Sequence, residues 1–524
     1  GRRRRNHIPR TCPKAVTSVE PLRALLGARC VEDRDRLKRY EIPERGEPGH
    51  TDCALLPASE AELQQVLRLA NEQGLRLVIS AGRTGLVESQ RPEGEAVLSL
   101  EKLDRPLRFA LADGRTYEFK AGDKPEAQAD GLAAWWRDLG KPDLAGAVLE
   151  AQAGLAVDAA NDLLRALNLM WPMEMGSTSA ASVGACVSNA SAGANAVSYG
   201  TGAQLCEAAW GFWAAGEPAG PCSAPAWSAP APDALAVDSS SVRPQWGLVG
   251  SQGLFGVVTR VRLRTYPLPA QREAVLLPVP DMPEAMRVLA AARQAFPGAI
   301  EEFEFMGRAS LELVREHLGE AFRWPYEGEV RIDSPFYVLL QVKSQDAETD
   351  LAGALYELVS ETLRFPAERI GYAPLPVLKK LRHSITESSN ARMRKLGGGR
   401  LSFDTATPVA VFGDYLATLE QELRAAHPEV EFVAFGHAGV GGAHLHLLGT
   451  KERPVKAAAD ALVKLVFDVT LRYGGTFSAE HGIGPKWADE FQVRAPQALK
   501  DALAAEKRKR DPKGILNPRS FGLV

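Results

Sequence analysis

The stretch Ser478-Ala479-Glu480-His481-Gly482-Ile483-Gly484 sets a carboxylate and an imidazole side by side among small residues. Upstream of it, the glycine-rich segment 436–446 holds three of the nine histidines of the chain, at positions 437, 444 and 446. Imidazoles and carboxylates are the usual ligands of catalytic zinc-like ions, and imidazole also titrates near neutral pH. The two segments therefore predict a metal-assisted redox or hydrolytic site with a spare base.

The composition is that of an ordinary globular protein. A chain of 524 residues with 45% hydrophobic and 24% charged residues is too long for one core and predicts two or three domains. The net charge of -3 provides no basic field, so we expect no nucleic-acid partner. The six cysteines contain no CxxC pair, which indicates reduced thiols and a cytoplasmic location, with docking on the inner membrane as an alternative.

The basic start Gly1-Arg2-Arg3-Arg4-Arg5 is not followed by an apolar segment. It is therefore interpreted as a disordered arm, a cloning remnant or the remnant of a targeting segment. No run of residues reaches the apolar length of a membrane span.

The first half of the chain begins with a β-α-β pattern. Ser59 is a predicted N-cap, its helix has apolar residues at 63, 66, 67 and 70, and Gly74 ends it. The apolar strand 75–79 leads into the tight loop 80–85, and the tract 177–202 is almost entirely small residues, which let backbone approach a ligand closely. Residues 105–148 are interpreted as an insertion with a helix that carries Trp135 and Trp136.

The second half alternates amphipathic helices with strands after a boundary near residue 270. Helices are predicted at 283–295, 350–364, 411–426, 453–471 and 497–510, and strands at 336–342 and 430–435. This pattern favours an α+β domain.

Five segments occur in an order that resembles one family. They are Gly82-Arg83-Thr84-Gly85, Gly176-Ser177, Ser182-Val183-Gly184, Gly250-Ser251-Gln252-Gly253 and the segment around Glu480-His481-Gly482. The chain resembles FAD-linked oxidoreductases of the vanillyl-alcohol-oxidase type, which carry a PCMH-type FAD-binding domain. It is most similar there to the flavin D-2-hydroxyacid dehydrogenases, which include D-lactate and D-2-hydroxyglutarate dehydrogenases. The resemblance covers roughly residues 40–524.

The resemblance implies a bound FAD. Its pyrophosphate needs backbone N–H donors in a tight turn, and the loop 80–85 can supply them, although any one of these glycines alone could mark a plain turn and Arg83 could be a surface charge. No histidine occurs in 80–90 or 170–205, so we expect non-covalent FAD. The predicted cofactor residues are Ser80, Ala81, Gly82, Arg83, Thr84, Gly85, Gly176, Ser177, Ser182, Gly184, Gly193, Gly253, Val258 and Asn517.

The resemblance also implies a divalent metal, zinc or manganese, bound by His437, His444 and Glu480, with His481 as the base. Histidines 444 and 446 share a face if this stretch is a strand. The family segment differs here at Val440, Gly442 and His446, where the family has Asp, Asn and Asn. His446 therefore replaces a substrate-contacting amide and is predicted to contact the substrate or to add a metal ligand.

The segment 381–387 resembles the family's substrate-carboxylate segment. Arg382 is predicted to clamp the carboxylate, with Thr386 one turn later on the same helix face. A solvated helix arginine is the alternative. Ser402 stands where some D-2-hydroxyglutarate enzymes have a lysine for the second carboxylate, so either Arg400 replaces that lysine or the substrate lacks the group.

The sequence thus predicts a two-domain α+β flavoprotein. The expected parts are an arm and lead-in at 1–44, an FAD-binding domain at 45–269, a substrate-binding cap at 270–470 and a segment at 471–524 that returns to the FAD domain. The expected reaction oxidises a D-2-hydroxy acid to the 2-oxo acid by hydride transfer to flavin N5. The electron acceptor is expected to be a quinone, a cytochrome or an electron-transfer flavoprotein, and the protein to be a homo-oligomer.

Two other functions fit the same scaffold. One is a flavin oxidase or a transferase like alkylglycerone-phosphate synthase, and the other is a non-catalytic flavin subunit of an electron-transfer complex. His7, His50, His317 and His427 lie outside the motifs and are interpreted as packed or solvated.

Overall fold

The computed structural model describes residues 18–327 and 331–524, so residues 1–17 of the predicted arm and lead-in at 1–44 lie outside the described residues. The strands of the first half are β1 (Cys30–Val31), β2 (Ala54–Leu55), β3 (Leu77–Ser80), β4 (Ala96–Ser99), β5 (Pro106–Ala110), β6 (Thr116–Glu118), β7 (Val148–Gln152), β8 (Leu169–Met170), β9 (Cys206–Trp213), β10 (Pro218–Cys222), β11 (Gly256–Arg264) and β12 (Tyr266–Pro267). Its helices are α1 (Glu20–Leu26), α2 (Arg34–Glu41), α3 (Glu60–Gln73), α4 (Pro125–Asp138), α5 (Val157–Arg165), α6 (Val183–Ser188) and α7 (Ala196–Tyr199).

A small, mostly parallel sheet of order β1-β2-β4-β3 presents the loop 80–85 at the end of β3. The helix before it, α3, has the predicted caps. Ser59 Oγ accepts a hydrogen bond from the Glu62 amide, and Gly74 ends the helix in the left-handed conformation. The apolar face of α3 packs into the core, which fixes the direction in which β3 delivers the loop.

A six-stranded antiparallel sheet of order β10-β9-β11-β7-β5-β6 follows. The segment 105–148, expected to be an insertion, supplies β5 and β6 of this sheet and the helix α4, which contains Trp135 and Trp136. The prediction of a Trp-containing helix is confirmed, but β5 lies within the sheet between β7 and β6, so the segment is part of the scaffold.

The strands of the second half are β13 (Gln271–Val279), β14 (Ile300–Gly307), β15 (Phe336–Ser344), β16 (Gly397–Ala406), β17 (Glu431–Gly436) and β18 (Gly442–Thr450). Its helices are α8 (Met282–Ala295), α9 (Arg308–Leu318), α10 (Leu351–Tyr356), α11 (Leu375–His383), α12 (Ile385–Leu396), α13 (Val409–Ala426), α14 (Ala459–Arg472), α15 (Ala488–Arg494) and α16 (Gln497–Arg510). The predicted helices at 283–295, 411–426 and 497–510 agree with α8, α13 and α16 to within two residues.

These strands form one antiparallel sheet of order β13-β15-β14-β17-β18-β16. In β18, His444 pairs with Asp404 on one side and with Phe435 on the other, while His446 pairs with Ser402 and Val433. Because side chains alternate along a strand, His444 and His446 lie on one face, as predicted for a strand.

The described residues form two main hydrophobic cores. One is built from the first half of the chain and the other chiefly from the second half. Ile515 and Leu516 join the first core, and Leu516 bridges to Leu77 at the start of β3. The C-terminal segment therefore returns to the FAD-binding half, which confirms that prediction, while Phe491, Leu503 and Phe521 pack in the second core. Among the described helices, none is both long enough and apolar enough to cross a bilayer.

Candidate active site

A cavity of about 940 Å³ lies where the loops of the first half face the second antiparallel sheet. This is near the upper end of the roughly 300–1,000 Å³ range of ligand sites. The cavity is lined by every residue predicted to bind cofactor, substrate or metal except Ser182. Ser182 instead caps α6, where its Oγ accepts a hydrogen bond from the Ala185 amide.

The side of the cavity that is predicted to bind FAD is formed by loops that expose their backbone. Ser80 Oγ is buried and has no hydrogen-bond partner in the structure, although it lines the cavity. A buried hydroxyl without a partner is costly, so it fits a site that receives a polar ligand. At Gly176, an added Cβ would meet no atom within 4 Å, which leaves open space beside the cavity wall.

Asn517 holds two of these loops together. Its side-chain oxygen accepts a hydrogen bond from the Ile79 amide at 3.1 Å, and its side-chain nitrogen donates to the Gly253 carbonyl at 3.0 Å. Arg83 stands with positive φ and lies over the Tyr40 ring at 5.3 Å, so it faces inward and is not a plain surface charge.

The three predicted metal ligands converge. His444 Nε2 lies 3.2 Å from Glu480 Oε1 and 3.4 Å from His437 Nε2, and His437 Nε2 lies 3.5 Å from Glu480 Oε1. A tetrahedral zinc ion with bonds of about 2.0–2.1 Å keeps its ligand atoms about 3.3–3.4 Å apart. The donor set and its spacing therefore fit a zinc-like ion.

A second set of potential ligand atoms overlaps the first. Atoms of Asp404, His444, Glu480 and His481 lie within 4.8 Å of one another. However, Asp404 Oδ2 already accepts the backbone N–H groups of Glu480 and His481, each at 2.8 Å. This arrangement makes Asp404 the residue that fixes the Glu480-His481 segment, and the tighter set with His437 remains the better ligand set.

Glu304 connects the ligand cluster to the predicted carboxylate clamp. It is fully buried in β14; His437 Nδ1 lies 2.6 Å from its Oε1, and Arg382 Nε donates to its Oε2 at 3.1 Å. Burial alone would lower the pKa of His437, but the Glu304 and Glu480 carboxylates outweigh it and raise the pKa to about 10. Burial alone would raise the pKa of Glu480, but His437 and His444 hold it well below its usual range.

His481 lies beside this cluster. Its ring stacks on His444 with centroids 5.3 Å apart, and its Nδ1 is 3.7 Å from Asp404 Oδ2. Burial lowers its pKa despite the nearby carboxylate of Asp404. A neutral imidazole facing a cavity can accept a proton.

The structure corrects the prediction that Arg382 and Thr386 lie on one helix. Helix α11 ends at His383 and α12 begins at Ile385, so the two residues lie on consecutive helices joined through Ser384. The backbone of Ser384 stays near helical angles, which explains why both side chains still line the cavity. Arg382 also lies over the Phe435 ring at 4.9 Å.

His446 is buried, and its Nδ1 lies 2.7 Å from Ser389 Oγ on α12. Burial and the charges of Arg400 and Arg45 place its pKa well below the usual range, so it is a neutral group of the cavity wall. The sequence predictions missed this serine as well as Glu304 and the role of Asp404. In the sequence, the alternation Glu302-Phe303-Glu304-Phe305 indicates a strand with one exposed polar face, so it gives no signal that the structure buries β14 throughout.

Comparison with known families assigns both halves. Residues 51–124 match the family described as FAD binding domain, and residues 268–521 match the family described as FAD linked oxidases, C-terminal domain. The chain thus contains a segment similar to an FAD binding domain and a segment similar to the C-terminal domain of FAD linked oxidases. The predicted superfamily, the fold class and the prediction of a flavin-dependent enzyme are thereby confirmed.

Curated relatives span most of the length of the chain. A D-2-hydroxyglutarate dehydrogenase of Xanthomonas citri pv. viticola is 29% identical over 471 residues, which is 88% of this chain and 87% of that protein. The mitochondrial D-2-hydroxyglutarate dehydrogenase of Bos taurus is 24% identical over 97% of this chain and 84% of its own. A putative mitochondrial D-lactate dehydrogenase of Schizosaccharomyces pombe is 23% identical over 90% and 82%.

Solved structures share the fold of this chain. A p-cresol methylhydroxylase with substrate bound has a TM-score of 0.65 at 14% identity, with 96% of each chain covered. An alkyldihydroxyacetonephosphate synthase has a TM-score of 0.61 at 12% identity and covers 96% of this chain and 84% of its own. At these identities the likeness concerns the fold alone.

Proposed function

We propose that this protein is an FAD-dependent dehydrogenase that oxidises a D-2-hydroxy acid to the 2-oxo acid with the help of a divalent metal. The observation that carries the proposal is the convergence of His437, His444 and Glu480 within 3.2–3.5 Å of one another, beside His481 and in the same cavity as the flavin loops. Relatives named as D-2-hydroxyacid dehydrogenases support the substrate class.

Each residue has a distinct task in this proposal. When bound, FAD would take two electrons and the C2 hydrogen, and the metal would polarise the 2-hydroxyl oxygen. His437, His444 and Glu480 hold the ion, and Arg382 binds the substrate carboxylate, oriented by Glu304. His481 accepts the hydroxyl proton at a ring nitrogen, which its lowered pKa leaves free at neutral pH.

We also propose that FAD is bound without a covalent link, since the loops 80–85 and 176–193 that line the cavity contain no histidine. The electron acceptor, the homo-oligomeric state and the cytoplasmic location remain predictions from the sequence.

The test is anaerobic reduction of the purified holoenzyme by D- and L-2-hydroxy acids, followed at the flavin absorption band before and after treatment with a chelator. We expect bleaching by a D-acid, loss of bleaching after chelation and recovery on adding zinc or manganese. A flavin that no hydroxy acid reduces would contradict the proposal and favour the transferase or the electron-transfer subunit. Bleaching that survives complete metal removal would contradict the metal's role alone.

Replacement of the base gives a sharper test. In His481→Ala we expect the rate of flavin reduction by the D-acid to fall by about 10²–10⁴-fold, the range of general-base catalysis, with the FAD spectrum unchanged. His427→Ala is a matched control, since His427 is a partly buried residue that lies 3.4 Å from Glu429 and does not line the cavity. Normal reduction by His481→Ala would exclude His481 as the base.

A further inference from the structure

The segment 478–484, which carries the proposed base, lies outside the helices and strands of the described structure, yet all of it except His481 is buried. A buried backbone N–H group needs a hydrogen-bond partner. Asp404 of β16 supplies such partners as far as His481, whose own N–H it accepts. The partners of the residues after His481 must come from elsewhere in the chain, and they help to decide where the imidazole stands.

Two side chains of the first half of the chain hold the part of the segment that follows His481. Ser239 Oγ accepts the Gly482 N–H at 3.0 Å. Gln252 Oε1 accepts the Ile483 N–H at 3.0 Å. The proposed base therefore has an anchor on each side of it along the chain, one from each half of the molecule.

The Gln252 side chain uses both ends of its amide. While Oε1 binds Ile483, Nε2 donates to the Ser239 backbone carbonyl at 2.7 Å. An amide offers an acceptor and a donor together, whereas a carboxylate offers acceptors alone. Gln252 and Ser239 are buried, so loss of this amide leaves a buried N–H and a buried carbonyl without partners.

The backbone of Gln252 belongs to the side of the cavity that is predicted to bind FAD. Its N–H donates to the Ser188 carbonyl at the end of α6 at 2.9 Å, and both residues line the cavity beside Gly253. Gln252 stands at a φ of 56°, in the left-handed region where glycine is the ordinary choice. A side chain kept in that conformation points to a task for it, and the two hydrogen bonds of the amide are that task.

We propose that Gln252 is a positioning residue that ties the cofactor-side turn 250–253 to the segment 478–484 and thereby sets His481 at a fixed place relative to the flavin. Gln252 transfers no proton itself and acts through the backbone of Ile483 and Gly482. This inference rests on the proposed function for the role of His481 as the base. The tie between the two segments is a separate matter that can be measured without any reaction.

The first test is amide hydrogen exchange of the holoenzyme, measured by mass spectrometry on peptides that cover 478–484. Gln252→Met removes both side-chain hydrogen bonds at similar length, and Gln252→Gly removes them while keeping the left-handed turn at no steric cost. We expect exchange in the segment to become roughly fivefold faster in both variants, the scale of one lost hydrogen bond. Unchanged exchange in either variant would overturn the proposal.

Gln492→Met is the matched control for this measurement. Gln492 is partly buried and donates to the Phe521 carbonyl at 2.8 Å, but it does not line the cavity. We expect its substitution to leave exchange in 478–484 as it is in the natural protein. Equal acceleration by Gln492→Met and Gln252→Met would show a general loss of stability and would overturn the proposal.

The second test asks whether Gln252 acts through His481. The rate of flavin reduction by D-2-hydroxyglutarate or D-lactate is measured by stopped flow for Gln252→Met, for His481→Ala and for the double variant. We expect Gln252→Met alone to slow reduction by about 10–100-fold, the scale of a misplacement by about 1 Å, with KM changed by less than roughly threefold. In the His481→Ala background the same substitution should change the rate by less than roughly twofold, because no base is left to misplace. Equal slowing in both backgrounds would overturn the proposal.

The two tests separate this proposal from the proposed function. Faster exchange in the Gln252 variants would uphold the tie between the two segments even if no hydroxy acid reduces the flavin. Reduction of the flavin by a D-acid, together with unchanged exchange in 478–484, would leave the proposed function standing and overturn the role given to Gln252.

Discussion

At the scale of single residues, the chemistry of the cavity depends on pairs that join distant parts of the chain. Glu304 contacts both His437 and Arg382, so one buried carboxylate orients a proposed metal ligand and the arginine proposed to bind the substrate carboxylate. With Nδ1 directed at Glu304, His437 presents Nε2 to Glu480 and His444. Such outer partners fix the ring orientation and strengthen the ligand.

We expect Glu304→Gln to weaken zinc binding by about 10–100-fold, because the amide holds the imidazole less firmly. The measurement is zinc affinity by competition with a chromophoric chelator, together with KM for the D-acid, which should rise as Arg382 loses its partner. Glu302→Gln is the control, because Glu302 lies on the same strand but contacts Lys379 rather than His437. Equal zinc affinity in the two variants would contradict the role given to Glu304.

The candidate site residues could be predicted where they stand close to one another in the sequence. His437, His444, His446, Glu480 and His481 stand in two short segments, and the structure brings them to one cavity. Glu304 was not predicted, since its contact with His437 spans 133 residues and is created by strand pairing, which no local pattern reports.

At the scale of elements, periodicity and caps predicted several helices, among them α3, α8, α13 and α16, but fewer of the strands. The exception near the site is the junction of α11 and α12, where a single residue, Ser384, keeps helical angles between the two helices. Arg382 and Thr386 are four residues apart, a spacing that places both on one face of a helix, so the sequence predicted one helix. The loop 80–85 was predicted to bind a ligand because it contains Gly82 and Gly85 and can offer backbone N–H groups. The contacts of the two glycines allow that prediction to be tested by substitution.

A methyl group added at Gly82 would meet a different environment from one added at Gly85. At Gly82 a Cβ would lie 1.9 Å from the Ala180 carbonyl oxygen, whereas at Gly85 the nearest atom is a side-chain oxygen of Gln90 at 3.1 Å. We expect Gly82→Ala to displace the loop and weaken FAD binding by at least roughly tenfold, since backbone clashes of this kind cost more than about 1 kcal/mol. Gly85→Ala should bind FAD nearly normally. Flavin fluorescence on titration measures affinity, circular dichroism confirms folding, and equal affinities would contradict the argument.

At the scale of the whole molecule, the C-terminal segment ties the two halves together. Lys507 on α16 is buried, pairs with Asp511 at 2.7 Å and donates to the carbonyls of Leu254 and Leu516. Asp511 in turn accepts the amides of Ile515 and Leu516. The sequence predicted the return of this segment through the family resemblance, but not the buried ion pair, because a basic helix such as 497–510 ordinarily indicates a solvated face.

We expect Lys507→Met to lower the free energy of unfolding by about 3–5 kcal/mol, because it leaves the Asp511 carboxylate buried without its cation. Adding Asp511→Asn should restore part of the loss. The measurement is urea-induced unfolding of the holoenzyme, with Lys509→Met, an exposed lysine on the same helix, as the control. A loss no larger than that of the control would show that the pair stabilises nothing.

The clamp made by Asn517 also bears on how the protein is made. Its partner Ile79 precedes it by 438 residues, so the ribosome must have synthesised nearly the entire chain before the loop after β3 is secured. FAD loading is then expected to follow release of the chain rather than to accompany translation. Cells starved of riboflavin should accordingly accumulate a complete apoprotein. This apoprotein should become yellow when the vitamin is restored, without new protein synthesis.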